Sequence, residues 1–332
     1  MKTAIFNDTS PDWHYGCDAV MSTLTHLMAS NDINIEFLWP VSKDWTRFID
    51  KIEDFDFELI VVNGEGSIHH PATRRKARAL LELGEYSRKT GKKSFLINTT
   101  LFSLSDADFE LLRYFDGIYA RERSTQQLLL DQDIKANFCP DLSMFATVPF
   151  FSGIRQGTLY TDSVLPAVTQ RLKETAAIKN AYFLPLQPQA GRLRNLAALG
   201  LRKTRRVFGY QPLPARKSKF KPNTKYQELF LKIRQSEFVV TGRFHAATIC
   251  LATMTPFIAL ESNTPKIEYL LRDALGNSER CFKNFDDLIR AEKENASGFQ
   301  SFSEEEMKKL KEYLKDMPKH IDNMLRHMKC EI

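Results

Sequence analysis

The chain is short of the features that hold many small or specialised folds together. Cys17, Cys139, Cys250, Cys281 and Cys330 are odd in number, far apart and without a CxxC pair. That spacing excludes a disulfide framework and a zinc ribbon, and predicts reduced thiols. Cys250, in an apolar helical stretch, reads as a small buried hydrophobe. Cys17 falls at a predicted helix start, where a thiolate can be stabilised, and is likewise expected to pack. No run of about 18 apolar residues occurs, so no spanning helix is expected. The opening Met1-Lys2-Thr3-Ala4-Ile5-Phe6 passes straight into a strand-like segment without the apolar core of a signal peptide, which makes cytoplasm the expected address.

Also missing are GxxxxGK[ST], GxSxG and paired Cys/His clusters, which argues against a P-loop NTPase, an ordinary serine hydrolase and a zinc enzyme. His69 and His70 are adjacent, but neighbouring side chains point different ways and HExxH spacing is absent, so no metal and no cofactor is expected. Acidic residues are absent between Arg192 and Lys221, where ten basic residues occur. Such a block either meets an anionic partner or forms a solvated insertion. Without an RNA- or DNA-binding motif beside it, the expected contact is a membrane surface or a pyrophosphate-linked lipid, not nucleic acid.

What is present is ordinary for a folded protein: 332 residues, 43% hydrophobic, 27% charged, formal net charge +6. That length exceeds what one core usually organises. The expected division is residues 1–150, residues 151–302 with a basic insertion at 190–222, and a C-terminal helix over 303–332. Thr3–Phe6, Ile33–Trp39, Glu58–Val62, Ser94–Asn98 and Gly117–Ala120 are apolar or β-branched runs separated by charged helical stretches. The pattern restarts at Gly157–Thr161, Ala181–Leu186, Glu237–Thr241 and Pro256–Leu260. The expected fold is therefore α/β, two Rossmann-like parallel-sheet domains facing a cleft. The helix over Ser303–Cys330 should kink or break at Pro318.

In such sheets ligands bind at the carboxyl ends of strands, where loops and helix N-termini present unpaired N–H groups. Thr241-Gly242-Arg243-Phe244-His245 lies at such a point. Arg243 offers a planar fork for carboxylate or phosphate, and His245 can act as acid, base or donor near neutral pH. The competing structural role is an Arg243 that caps a protein carboxylate beside a core histidine. Asn63-Gly64-Glu65-Gly66-Ser67 also follows an apolar strand, with Glu65 either a rim base or an exposed turn residue. Asn7-Asp8-Thr9-Ser10 and His14-Tyr15-Gly16-Cys17-Asp18-Ala19 share the same rim, and Asp18 can serve as a base or complement the helix dipole. Arg121 ends another strand. Lys266 follows Thr264 and Pro265, which read as a helix cap and first position.

In this order and spacing, from about residue 4 to 275, the clusters resemble the polysaccharide pyruvyl transferase family. His14-Tyr15-Gly16-Cys17-Asp18-Ala19 is similar to its N-x-G-[CD]-x-A element, with His14 for Asn. Asn63-Gly64-Glu65-Gly66-Ser67 is similar to its NGGGS loop, with Glu65 for the central Gly. Arg121-Glu122-Arg123-Ser124-Thr125, Pro140-Asp141 and Gly242-Arg243-Phe244-His245-Ala246 match further elements. Ile97-Asn98-Thr99-Thr100 stands where a glycine-rich loop is common.

The resemblance implies a GT-B-like fold, phosphoenolpyruvate as donor and a ketal placed across two sugar hydroxyls of a cell-surface glycan or its lipid-linked precursor. It implies a donor site of Arg243, Phe244, His245, Arg121, Lys266, Gly64, Gly66 and Ser67. Arg243 is the expected anion clamp, His245 the acid or phosphate donor, and Glu65 or Asp18 the hydroxyl base. The alternative is a GT-B-like glycosyltransferase using a nucleotide-activated sugar. The expected place of work is the inner face of the membrane, reached through the basic stretch 192–221.

Overall fold

The computed structural model describes residues 1–12, 14–41, 43–187, 216–217, 225–294 and 296–330. Apart from residues 216–217, the basic stretch 192–221 lies outside the described residues.

The first half alternates strand and helix: β1 (Lys2–Asp8), α1 (Tyr15–Ala29), β2 (Asn34–Pro40), α2 (Ile49–Glu53), β3 (Leu59–Glu65), α3 (Arg75–Lys89), β4 (Lys93–Thr99), α4 (Asp106–Leu112), β5 (Gly117–Ala120), α5 (Arg123–Leu130) and β6 (Asn137–Phe138). The six strands are mutually parallel, with Ile5 opposite Val61 and Val61 opposite Phe95. Helices cover both faces, so β3 is buried along its whole length and opens with the apolar run Leu59-Ile60-Val61-Val62 before the polar Asn63-Gly64-Glu65. Successive side chains point to opposite faces. Phe6, Ile60, Val62 and Leu96 enter one core, and Ile5, Val61, Phe95 and Ile97 enter the other.

The chain then builds β7 (Thr158–Ser163), α6 (Pro166–Ile178) and β8 (Tyr182–Phe183). The short strand β9 (Arg216–Lys217) pairs antiparallel with β2 at the edge of the first sheet. Next come α7 (Lys225–Gln235), β10 (Phe238–Gly242), α8 (Phe244–Ala252), β11 (Phe257–Leu260), α9 (Lys266–Leu275), β12 (Cys281–Phe282), α10 (Phe285–Glu294), α11 (Ala296–Phe299) and α12 (Glu304–Cys330). The sheets are ordered β6-β5-β4-β3-β1-β2-β9 and β12-β11-β10-β7-β8, the second wholly parallel. The expected pair of parallel α/β domains is therefore present.

Helix α12 joins them: Leu310 and Met317 pack into the core of the second domain, whereas Ile321, Met324, Leu325 and Met328 cover the first sheet. Of the kink or break expected at Pro318, the break does not occur: one helix runs through it. Pro318 is exposed while Met317 and Ile321 are buried and Leu314 is half-buried, so packing on both sides holds the helix across one missing hydrogen bond. Roughly 1.5–3 kcal/mol per buried Met or Leu offsets a proline cost of about 3 kcal/mol. At α9 the cap position is taken by Pro265, without a side-chain cap bond, so Thr264 does not cap as expected. Among the described residues no helix is long and apolar enough to cross a membrane.

Candidate functional site

Parallel strands present their carboxyl ends on one side, and the two domains turn those sides toward each other. Asp8 closes β1, Glu65 closes β3, Arg121 follows β5, Gly242 closes β10 and Lys266 opens the helix after β11. Between them is a cavity of about 180 Å³ whose wall includes Thr9, His14, Cys17, Glu65, Gly66, Ser67, Arg121, Arg243, Phe244, His245 and Lys266.

Its floor is a buried charge network. Arg121, 1% exposed, donates from Nε to Thr100 at 2.7 Å and Glu122 at 3.0 Å, and from Nη1 to Asp141 at 2.9 Å. Burial disfavours its charge, but Glu122 and Asp141 more than compensate and raise its pKa. Burial pushes Glu122 up to about 7 against the pull of Arg121. In Asp141 the same burial is outweighed by Arg121, His245 and Ser143, which hold the carboxyl below its ordinary range. The Arg121 guanidinium also lies 4.0 Å from the centre of the Phe244 ring, joining the two domains.

Arg243 occupies the cap position of α8 and pairs through Nη2 with Asp162, at the end of β7. Its Nε is buried without a partner, as is Nε2 of His245, which stands 4.0 Å from Asp141 Oδ1. Burial lowers the pKa of His245, with Asp141 and Glu65 opposing, so the ring is neutral near pH 7. Lys266 forms no hydrogen bond or ion pair among the described residues. Burial, reinforced by Arg121, brings it down to about 8. A Cβ on Gly66 would meet Lys266 Nζ at 3.4 Å and Arg121 Nη2 at 3.6 Å, so the bare glycine leaves a notch bordered by two cations.

The opposite wall is built by α1. His14 caps that helix, its Nδ1 accepting from Gly16 N at 3.2 Å and Cys17 N at 3.4 Å. An accepting Nδ1 puts the proton of the neutral ring on Nε2. Burial, with His245 and Arg243 adding to it, holds His14 well below its ordinary pKa. Gly16 allows the domains to meet: a Cβ there would lie 2.3 Å from His245 Cβ. Glu65 adopts the left-handed backbone at φ 42°, which accounts for the glycine its position resembles. Its carboxylate accepts from Thr9 at 2.6 Å, Asn63 at 2.9 Å and Cys17 Sγ at 3.3 Å. His14, Cys17 and His245 place ligand-type atoms within 4.8 Å of one another. With His14 Nδ1 engaged by the helix and its Nε2 carrying the proton, that ring has no lone pair left for a cation. The trio reads as hydrogen-bonding groups.

The residues expected at the donor site thus converge: Arg243, Phe244, His245, Arg121, Lys266, Gly66 and Ser67 all line the cavity, as does Glu65, expected as the hydroxyl base, and Gly64 lies against Thr99. Asp18 is buried in the first turn of α1 and is not among the lining residues. Cys17, expected to pack, instead faces the cavity because its thiol turns to Glu65. Sequence reasoning missed Asp162, although its place at the end of a strand was a usable signal, and it missed the capping role of His14.

A family model described as polysaccharide pyruvyl transferase matches residues 14–264. No curated protein matches the chain in sequence. Among solved structures, the MnaA–UDP complex of S. aureus aligns with TM-score 0.57 and 11% identity, over 92% of this chain and 92% of that one. UDP-GlcNAc 2-epimerase from Neisseria meningitidis, bound to UDP-GlcNAc, gives TM-score 0.54 and 10% identity over 98% and 99%. The Methanocaldococcus jannaschii epimerase in complex with UDP-GlcNAc and UDP gives 0.53 and 11% over 96% and 100%. At these identities the likeness establishes the fold: two Rossmann-like domains arranged as in GT-B proteins.

Proposed function

The chain belongs to the polysaccharide pyruvyl transferase family, and from that premise we propose that it moves a pyruvyl group from phosphoenolpyruvate onto two hydroxyls of a sugar, forming a ketal. The acceptor is a cell-surface glycan or its lipid-linked precursor, met at the inner face of the membrane. One observation carries the donor assignment: Arg121, Arg243 and Lys266 reach one small cavity from three separate strand ends. Phosphoenolpyruvate brings two anionic groups, and guanidinium and ammonium groups are the side chains that hold them. The notch over Gly66, between Lys266 and Arg121, suits the phosphate, and the unsatisfied Arg243 Nε suits the carboxylate.

The chemistry asks for a proton on the methylene carbon, attack of a sugar hydroxyl at the adjacent carbon, and departure of phosphate as a second hydroxyl closes the ketal. Charge developing on the phosphate is met by groups already fixed in place, which is where enzymes gain most. His245, neutral and unpartnered at Nε2, is positioned to donate a hydrogen bond to the phosphate of the donor or to accept a hydroxyl proton. Glu65, held by three donors, fixes the acceptor side.

The second reading is glycosyl transfer from a nucleotide-activated sugar on the same two-domain fold, in which neighbours hold UDP or UDP-GlcNAc. The cavity measures about 180 Å³, below the roughly 300–1,000 Å³ common for ligand pockets, which favours the smaller donor. Calorimetric titration separates the two. Binding of phosphoenolpyruvate and not of UDP-sugars is expected; tight binding only to a UDP-sugar would replace pyruvyl transfer with glycosyl transfer.

A further inference from the structure

Pyruvyl transfer from an enol phosphate begins with a proton delivered to carbon, so the site must contain a group that holds a labile proton at neutral pH. His14 and His245 are neutral rings there, and a neutral imidazole N–H is a very weak acid. Lys266 stands over Gly66, on the side assigned to the phosphate. The remaining candidate is a thiol. Cys17 lines the cavity, within 4.8 Å of both imidazoles, and its S–H points to Glu65 Oε2 at 3.3 Å. Glu65 is held in a left-handed conformation that costs an ordinary residue about 1–3 kcal/mol, and three donors fix its carboxylate. Unpartnered His245, 8% exposed, borders the same space, which marks it as a place for a ligand.

We propose that Cys17 is the acid of the transfer, giving its thiol proton to the methylene carbon of the bound enol phosphate, and that Glu65 returns a proton to the sulfur. This rests on the pyruvyl-transfer reading above. The S–H bond breaks as a C–H bond forms, and the adjacent carbon becomes cationic. The first sugar hydroxyl bonds to that carbon, and its proton passes to Glu65 and on to the thiolate, which restores Cys17. The second hydroxyl then displaces phosphate, and its proton leaves with the phosphate. No oxidant or further reactant is needed.

The test uses the full chain with phosphoenolpyruvate and a glycan acceptor fraction, comparing wild type with Cys17→Ala, Cys17→Ser and Cys17→Asp. Calorimetry should give phosphoenolpyruvate affinities within threefold of wild type for the alanine and serine variants, which also shows that they are folded, and a weaker but measurable affinity for Cys17→Asp, whose carboxylate faces the anionic donor. Phosphate release should fall at least 100-fold in the alanine and serine variants. Cys17→Asp should recover part of that rate, with the alkaline limb of its pH profile moved to lower pH, a change that a packing role would not produce. Alanine or serine variants turning over within threefold of wild type would overturn the acid role while leaving pyruvyl transfer intact. A wild-type chain that releases no phosphate from phosphoenolpyruvate would overturn both.

Discussion

The guanidinium of Arg121, from the first domain, stands 4.0 Å from the centre of the Phe244 ring of the second. Two residues more than a hundred positions apart thereby close the floor of the cavity from opposite sides. A buried contact of this kind contributes about 2 kcal/mol. Phe244→Leu keeps most of the volume and removes the π face. It should lower the unfolding midpoint measurably and raise the KM for donor severalfold, with a smaller effect on kcat. An unchanged KM would mean that the ring packs without orienting Arg121.

Gly16 meets His245 where no side chain fits, since a Cβ would fall 2.3 Å from that of His245. Gly16→Ala should therefore push the histidine out of line. Misplacements of about 1 Å cost on the order of 100-fold in rate. Turnover should drop by that order while circular dichroism stays native; retention of more than a third of wild-type turnover would remove His245 from the reaction.

Much of this was legible in the chain. Apolar runs such as Glu58–Val62 and Glu237–Thr241 announce buried parallel strands because both faces are covered, and the carboxyl-end rule then locates Arg243, His245, Glu65 and Arg121 together. Geometry was not legible. Nothing in the residue types says that Glu65 takes a left-handed backbone, that Cys17 turns to its carboxylate, or that Asp18 is buried outside the cavity lining, because each depends on how the elements dock. Pro318 shows the same limit: local propensity favours a break, and long-range packing overrides it.

Acid should destabilise the protein through its buried rings. Burial depresses the pKa of His245 and of His14 below the ordinary 6.5. The unfolded chain then binds more protons, so the stability they contribute is present above about pH 6.5 and is lost as pH falls toward their native values. For His245 the slope reaches at most about 1.4 kcal/mol per pH unit. Glu122, raised to about 7, binds a proton in the folded state over the same range and opposes this loss, so the test is a difference: between pH 7 and 5 the unfolding midpoint of His245→Gln should fall less, or rise more, than that of the wild type. Equal slopes in the two proteins would contradict a neutral His245 ring.

Donor binding should weaken at alkaline pH through Lys266, whose pKa is brought down to about 8. An anion binds the ammonium form, so affinity for phosphoenolpyruvate should decline above that pH, by up to tenfold per unit, until the bound lysine also loses its proton. Lys266→Met should bind more weakly at pH 7 and lose the slope. Equal affinity at pH 7 and 9 in the wild type would place Lys266 outside the anion site.

The most direct measurement is incubation of the purified chain with phosphoenolpyruvate and a cell glycan extract, following phosphate release and glycan mass together. The expected result is one phosphate released for each glycan that gains the mass of a pyruvate less one water, with both signals lost in Arg243→Ala. Phosphate release without that gain, or glycan extension that requires a nucleotide sugar and ignores phosphoenolpyruvate, would contradict pyruvyl transfer.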